Sequence, residues 1–326
     1  MFNGKSILVT GGTGSFGKKF IQTILEKYQP NRLIVFSRDE LKQYEMAQTF
    51  NQPCMRYFIG DVRDEDRLTM AMQGVEYVVH AAALKHVPVC EYNPFEAVKT
   101  NILGGQNIVK AALKNKVKKV VTLSTDKAVS PANLYGATKL AMEKVILAAN
   151  AYAGSQDTHF SMVRYGNVVG SRGSVIPFFS KLAAQGEKSF PITDDRMTRF
   201  WITLEQGVDT VFKAFERGVG GEIFIPKIPS MKMTDLVKAY GDDKKYHVIG
   251  IRPGEKLHES LISEDDSRLV KDLGDLYVIL PLYQHSSKTG GVYDKYPGVD
   301  EKFFYRSDIN KDWLTVKQLK DIISGL

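Results

Sequence analysis

The opening of the chain restricts its fold more than any other stretch. A short β-branched run, Ser6 to Thr10, passes straight into Gly11-Gly12-Thr13-Gly14-Ser15-Phe16-Gly17, and a second apolar run, Arg32 to Phe36, follows after room for one helix. Glycines at 11, 14 and 17 allow a tight turn and bring backbone N–H groups and a helix N-terminus against a pyrophosphate. Three glycines alone mark no more than a turn. With a strand before them and a helix and strand after, they mark the first βαβ unit of a dinucleotide-binding sheet.

The alternation continues along the chain. Arg56 to Gly60, Val75 to His80, Lys119 to Ser124 and Phe160 to Arg164 read as further strands separated by helical stretches. Such spacing predicts a Rossmann-like, doubly wound parallel α/β sheet over residues 1–165. After Gly166, Pro177, Pro191, Pro226, Pro229 and Pro253 punctuate shorter elements, so residues 166–326 are expected to form a smaller, substrate-binding α/β domain. Within it, Leu204 to Arg217 reads as a helix and Gly221 to Pro226 as a strand, and residues 204–226 are suited to rejoining the first sheet. His285 to Asp300, rich in Gly, Ser and Lys, reads as an exposed loop.

Composition narrows the class. A chain of 326 residues with 43% hydrophobic content has material for about two packed domains. No stretch reaches the ~18 apolar residues of a membrane span and no cleavable signal pattern opens the chain, so a cytoplasmic protein without a membrane partner is expected. Cys54 and Cys90 make a disulfide framework unexpected, and His80, His86, His159, His247, His258 and His285 form no paired metal-ligand motif. The net charge of +7 raises the question of nucleic acid. Its densest patch, Lys110 to Lys119, lacks interleaved aromatics and leads into a strand, so it reads as a solvated helix end. A basic surplus also suits an enzyme whose cofactor and substrate both carry phosphates.

The residues after the second strand choose between cofactors. Ser37 and Arg38 offer a hydroxyl and a guanidinium suited to a 2'-phosphate where an acidic residue would grip a ribose 2'-hydroxyl. NADP is therefore preferred over NAD, although Asp39, followed by Glu40, stands one position further on and within reach of the ribose. Asp61-Val62 ends the third strand where an adenine amine can be met; Asp61 could equally cap the helix starting near Asp64. Ala81, Ala82 and Ala83 end the fourth strand with side chains small enough for a cofactor to pass close.

Ser124-Thr125-Asp126-Lys127 ends the fifth strand, at the sheet edge where open α/β folds take their ligands. Tyr135 and Lys139 lie four apart and share a helix face. A cationic Lys139 and an oxidised nicotinamide would both favour the Tyr135 phenolate, fitting it to take a proton from a substrate hydroxyl. An acid, two amines and a phenol exceed what hydride transfer alone requires. The plainer readings are that Asp126 caps a turn and Lys127 binds phosphate.

These residues resemble an extended short-chain dehydrogenase/reductase, and within that group the inverting UDP-N-acetylglucosamine 4,6-dehydratases of pseudaminic acid synthesis. The likeness runs nearly end to end. It is carried by the glycine loop, Asp61-Val62, Ala81 to Ala83, Lys85-His86-Val87-Pro88, Thr100-Asn101, Ser124 to Ala128, Tyr135 with Lys139, and Arg164-Tyr165-Gly166-Asn167-Val168. Further words are Ser171-Arg172-Gly173-Ser174-Val175-Ile176-Pro177, Met197-Thr198-Arg199-Phe200 and Arg252-x-Gly254-Glu255-Lys256. Retaining dehydratases typically carry Asp-Glu where this chain has Asp126-Lys127, and 4-epimerases lack the acid–base pair.

The resemblance implies catalytic roles for Thr125, Asp126, Lys127, Tyr135 and Lys139. It adds Lys85, Thr100, Leu123, Ser124 and Val168 to the cofactor site, and sets Lys85, Asn167, the Val175, Ile176, Pro177, Phe178 and Phe179 segment, Lys181, Arg199, Arg252 and Glu255 around the nucleotide sugar. Arg199 and Arg252 are natural bidentate partners of a diphosphate. Relatives imply a homo-oligomer, often a hexamer. The implied reaction oxidises C4, removes water across C5 and C6, returns hydride to C6 and inverts C5. Elimination requires Lys127 to be neutral as a base and Asp126 to be protonated as an acid. Competing readings are a UDP-sugar 4-epimerase, a retaining 4,6-dehydratase, a 4-keto reductase, or a dinucleotide-sensing regulator on the same fold.

Overall fold

A computed structural model describes residues 1–154, 156–171, 173–282 and 291–325. The six apolar runs of the first half form strands β1 (Ser6–Thr10), β2 (Arg32–Ser37), β3 (Met55–Ile59), β4 (Tyr77–His80), β5 (Lys119–Thr125) and β6 (His159–Tyr165). Every residue of β1 is buried, as suits a strand covered by helices on both faces. The strands pair in parallel in the order β3-β2-β1-β4-β5-β6. Chain direction across the sheet reverses between β1 and β4, which opens a crevice at their C-terminal ends.

The sheet does not stop at β6. Ile223–Pro226 adds in parallel beside β6, and the Leu204–Arg217 helix before it packs against β6 and against the Ser15–Lys27 helix. Two further strands, Leu276–Ile279 and Val270–Asp272, follow antiparallel to their neighbours and complete nine. Sequence reading did not anticipate these last two strands. The 291–300 stretch is also more than an exposed loop, because Tyr293 is buried and its hydroxyl donates to Arg217 O and Glu222 Oε1 at 3.0 and 3.2 Å. Residues 285–290 of that stretch lie outside the described residues.

A separate core collects Ile176, Phe179, Phe190, Ile192, Trp201, Met231, Leu236, Val237 and Leu319. Small sheets surround it: Ser230–Lys232 with Thr198–Ile202 and Asn167–Val168, and Ser189–Ile192 with Lys245–Val248. Pro191 sits inside one of these two-stranded pairs, a location open to proline because each strand there has a free edge. The Lys-rich run spans the end of the Gly104–Lys114 helix, and Lys110 and Lys118 pair with Glu65 and Glu76. Among the described residues no helix is long and apolar enough to cross a membrane.

Candidate active site

At the end of β1, Gly11 turns with φ of +65°, and a Cβ there would meet Ala82 N at 2.9 Å and the Ala81 carbonyl at 3.0 Å. Only a residue without a side chain lets this turn lie against the end of β4. A Cβ on Gly17 would stand 2.5 Å from Gly12, so the Ser15–Lys27 helix starts directly on the loop. Its N-cap, Gly14, provides no side-chain acceptor, and its first turn has no acidic residue. The N–H groups of Ser15, Phe16 and Gly17 thus face the crevice without a side-chain cap, an arrangement that fits the pyrophosphate of a dinucleotide.

Around this cradle, Thr13 Oγ1 and Ser37 Oγ are 3.0 Å apart, while Arg38 is exposed and reaches Asp61 Oδ2 at 3.5 Å. Asp39 is the N-cap of the Glu40–Thr49 helix, accepting from Lys42 N at 2.9 Å, and Glu40 faces solvent. Asp61 does not cap the following helix; Asp64 does. Asp61 instead accepts a fork from Arg63 at 2.8 and 2.7 Å. Partial burial works against its charge, but the Arg63 bonds and the nearby Arg38 hold its carboxyl below the ordinary range. Val62 is buried beneath. Thr100 is buried with no partner for its hydroxyl, within a π-helical turn, Val98–Leu103. A buried hydroxyl without a partner is uncommon in a folded protein.

Beneath the cradle, His80 Nδ1 is 2.8 Å from Thr10 Oγ1. Burial, assisted by the Lys139 charge, pushes His80 down to about 3 and leaves it neutral. Lys139 donates to Leu123 O at 2.7 Å. Its burial lowers it to about 8 despite the opposing charge of Glu143. Ser124 donates its hydroxyl to Glu143, and Arg164 clamps the same carboxylate. Among the described contacts, Ser124 is therefore engaged within the fold.

The strand then breaks into a short turn, Asp126–Ala128, where the second cluster of titratable groups is assembled. Asp126 is fully buried; its Oδ1 accepts from Thr125 Oγ1 at 2.8 Å and from Lys127 Nζ at 3.0 Å. Its other oxygen, Oδ2, has no partner. Lys127 Nζ also meets Asn167 Oδ1 at 3.2 Å and Glu259 Oε1 at 3.5 Å. Burial disfavours the Lys127 charge, but Asp126 and Glu259 outweigh it and raise its affinity for the proton. The expectation of a neutral Lys127 is thereby corrected: two carboxylates favour its ammonium form.

Tyr135 lies one residue into the Leu134–Tyr152 helix, whose N-cap Asn133 accepts from Gly136 N at 2.8 Å. Burial pushes its phenol up to about 12, against the opposing influence of the Lys127 charge. The expected lowering by Lys139 does not appear; that ammonium bonds Leu123 O and Met142 Sδ instead.

Other assignments separate into those the fold gathers at this edge and those it uses elsewhere. Asn167 joins Lys127, and Val168 follows it in the same strand. Lys85 and Arg252 are exposed in loops, and Glu255 Oε2 accepts from Arg252 N at 3.2 Å. Along the Val175–Ala184 helix, Pro177, Phe178 and Lys181 are exposed and Val175 is half-buried. Ile176 and Phe179 are not available as side-chain contacts, since both are packed in the second core. Arg199 is likewise withdrawn: its guanidinium donates to the carbonyls of Thr198, Leu257 and Lys256 at 2.7, 3.0 and 2.9 Å. It shapes the loop that carries Lys256 and is buried beneath it. Arg172 lies outside the described residues.

Sequence reading missed Glu259, which no spacing rule ties to residues 126 and 127. It also left Asn101 without a role, although its side chain binds Leu84 N and O and Thr138 Oγ1, each at 2.9 Å. Asn101 thereby joins the end of β4 to the Tyr135 helix.

Residues 7–281 match the polysaccharide biosynthesis protein family. Over 99% of this chain and 98% of its own length, the UDP-N-acetylglucosamine 4,6-dehydratase (inverting) of Campylobacter jejuni is 58% identical. UDP-glucose 4-epimerase of Rickettsia canadensis is 46% identical over 86% of this chain and 84% of its own. The crystal structure of Pen from Bacillus thuringiensis superposes with a TM-score of 0.91 at 40% identity, covering 100% of this chain and 98% of that one. The glycine cradle, the reversal point of the sheet and these similarities over nearly the whole length agree, and the chain belongs to the polysaccharide biosynthesis protein family, in the branch that holds the inverting UDP-N-acetylglucosamine 4,6-dehydratases.

Proposed function

We propose that the protein converts UDP-N-acetylglucosamine to UDP-2-acetamido-2,6-dideoxy-β-L-arabino-hex-4-ulose, with NADP held in the glycine cradle. The observation that carries this reading is the pairing of buried Asp126 with half-buried Lys127, bonded at 3.0 Å, with Asp126 Oδ2 left unpartnered. The name of the 58% identical relative supports the same substrate and outcome. When bound, the dinucleotide supplies the hydride acceptor for C4 and donor for C6, and its cationic ring adds to the Lys127 charge in favouring the Tyr135 phenolate.

Tyr135 accepts the proton of the C4 hydroxyl. The resulting ketone acidifies C5. Passage of one proton from Lys127 Nζ to Asp126 Oδ1 turns an ammonium and a carboxylate into an amine and a carboxylic acid, the two groups an elimination needs. The amine takes the C5 proton, the acid protonates the departing C6 hydroxyl as water, and both residues return to their starting charge. A proton returned to C5 on the opposite face completes the inversion; Tyr135, which carries the proton taken from the C4 hydroxyl, and Lys127 are its two candidate donors. Arg38 and Ser37 support NADP over NAD, since Asp39 is engaged as a helix cap. We place the product at the first step of pseudaminic acid synthesis, for flagellin or a surface polysaccharide.

The test is NMR in D2O with UDP-N-acetylglucosamine and catalytic NADP. A 6-deoxy-4-keto product of L-arabino configuration with deuterium at C5 is expected; D-xylo configuration or unchanged substrate would sink the reading. The epimerase name of the 46% identical relative favours a second reading, which predicts C4 inversion with no deuterium at C5.

A further inference from the structure

Glu259 is buried at 2% exposure immediately before the Ser260–Ile262 strand, and its backbone is pinned on both sides by Ser307. Its N–H donates to Ser307 Oγ at 3.0 Å and its carbonyl accepts from Ser307 N at 2.9 Å. One carboxylate oxygen faces Lys127 Nζ at 3.5 Å. The other has no hydrogen-bond partner, although Lys256 Nζ stands 3.8 Å away and is itself bonded to Val129 O. A carboxylate buried with an unbonded oxygen is destabilising by itself, so packing gives no account of it.

Lys127 does. An ammonium has three N–H donors and no acceptor, and three oxygens surround Nζ: Asp126 Oδ1 at 3.0 Å, Asn167 Oδ1 at 3.2 Å and Glu259 Oε1 at 3.5 Å. Each comes from a different part of the chain, so the three together fix both the position and the charge of the amine. The remaining titratable neighbours are the cations Lys256, Arg199 and Lys85 and the neutral phenol of Tyr135.

We infer that Glu259 is a positioning residue for the proton transfers of this site, holding Lys127 protonated and aimed until substrate draws its proton onto Asp126. The inference rests on the dehydratase reading above. Glu259 acts only through Lys127: it neither donates to nor accepts from the sugar. Its negative charge sets how difficult the Lys127-to-Asp126 transfer is, and its removal leaves the amine free to lose its proton to solvent.

The experiment compares full-length wild type, Glu259→Gln and Glu259→Asp, each with NADP and UDP-N-acetylglucosamine. Lys127 Nζ is titrated by NMR in protein carrying 15N-lysine, its signal assigned by loss in Lys127→Met, and kcat and KM are measured in parallel. In Glu259→Gln the Lys127 titration should fall by about one pH unit or more. Its kcat should drop at least about tenfold while KM stays within roughly threefold. Glu259→Asp keeps the charge at a greater distance and should fall between the two in both readouts. A Lys127 titration unmoved in Glu259→Gln overturns the inference, whatever happens to kcat. If Glu259→Gln does not fold, an unmoved titration in Glu259→Asp overturns it equally. Wild type that leaves the substrate unchanged fails the dehydratase reading instead, and the two failures are thereby told apart.

Discussion

Burial disfavours the charge of Lys127, and two carboxylates more than offset it. Lys127→Ala should reduce turnover by ~10²- to 10⁴-fold, the range of a lost acid–base group, while NADP affinity by fluorescence titration stays nearly unchanged. Near-normal turnover would remove Lys127 from the mechanism. Lys139 behaves in the opposite sense, since its burial brings it down to about 8 from an ordinary 10.5. It is charged below that value and loses its charge as pH rises through it. We expect kcat/KM for UDP-N-acetylglucosamine to decline above about pH 8, as the ammonium that ties the Tyr135 helix to Leu123 O at the end of β5 is lost; a flat profile to pH 10 would contradict this. Spacing made Tyr135 and Lys139 legible because four residues is one helical turn. Glu259 and the internal bonds of Arg199 were illegible, because each depends on a contact between segments distant in sequence.

The Leu134–Tyr152 helix seats the catalytic turn as well as carrying Tyr135. A Cβ on Gly136 would collide with the Lys127 carbonyl, so the helix and the Asp126–Ala128 turn touch backbone to backbone. The N-cap Asn133 also donates to Gly254 O at 2.8 Å, tying the Arg252–Lys256 loop to the same helix end. For Gly136→Ala two effects compete. Helix propensity favours alanine by about 1 kcal/mol, while forced repacking costs about 1–3 kcal/mol. The second should win: thermal unfolding is expected to occur at the same or lower temperature, and kcat to fall at least about tenfold as Lys127 is displaced. Wild-type kcat in this variant would show that the turn tolerates the shift. Helix and strand existence in this half was readable from the alternation. Their ends moved by a residue or two, as where Val75 and Glu76 fall just outside β4, their N–H groups bonded to Met72 O and Ser6 O.

Across the whole molecule, the reversal of strand order between β1 and β4 brings the cradle, His80 and the β5 terminus to one edge. His80 lies under that junction, neutral and with Nε2 unpartnered. Its folded value of about 3 is below the ordinary 6.5, so the unfolded chain binds the extra proton between them. The stability His80 contributes is complete above pH 6.5 and is lost as pH falls toward 3. In chemical denaturation between these limits, His80→Asn should flatten the decline by up to about 1.4 kcal/mol per pH unit, the slope of one proton. An unchanged slope would mean that His80 titrates normally. By itself the sequence determined the parallel α/β class, the dinucleotide loop and the Asp126–Lys127 and Tyr135–Lys139 groups, because glycine geometry, hydrophobic period and helical spacing are local properties of a chain. Only the tertiary structure decided that Leu276–Ile279 and Val270–Asp272 extend the sheet, that Arg199 and Phe179 turn inward, and that Glu259 meets Lys127. Those are contacts between distant segments, and burial and charge pairing, which no local pattern encodes, settle them when the chain closes on itself.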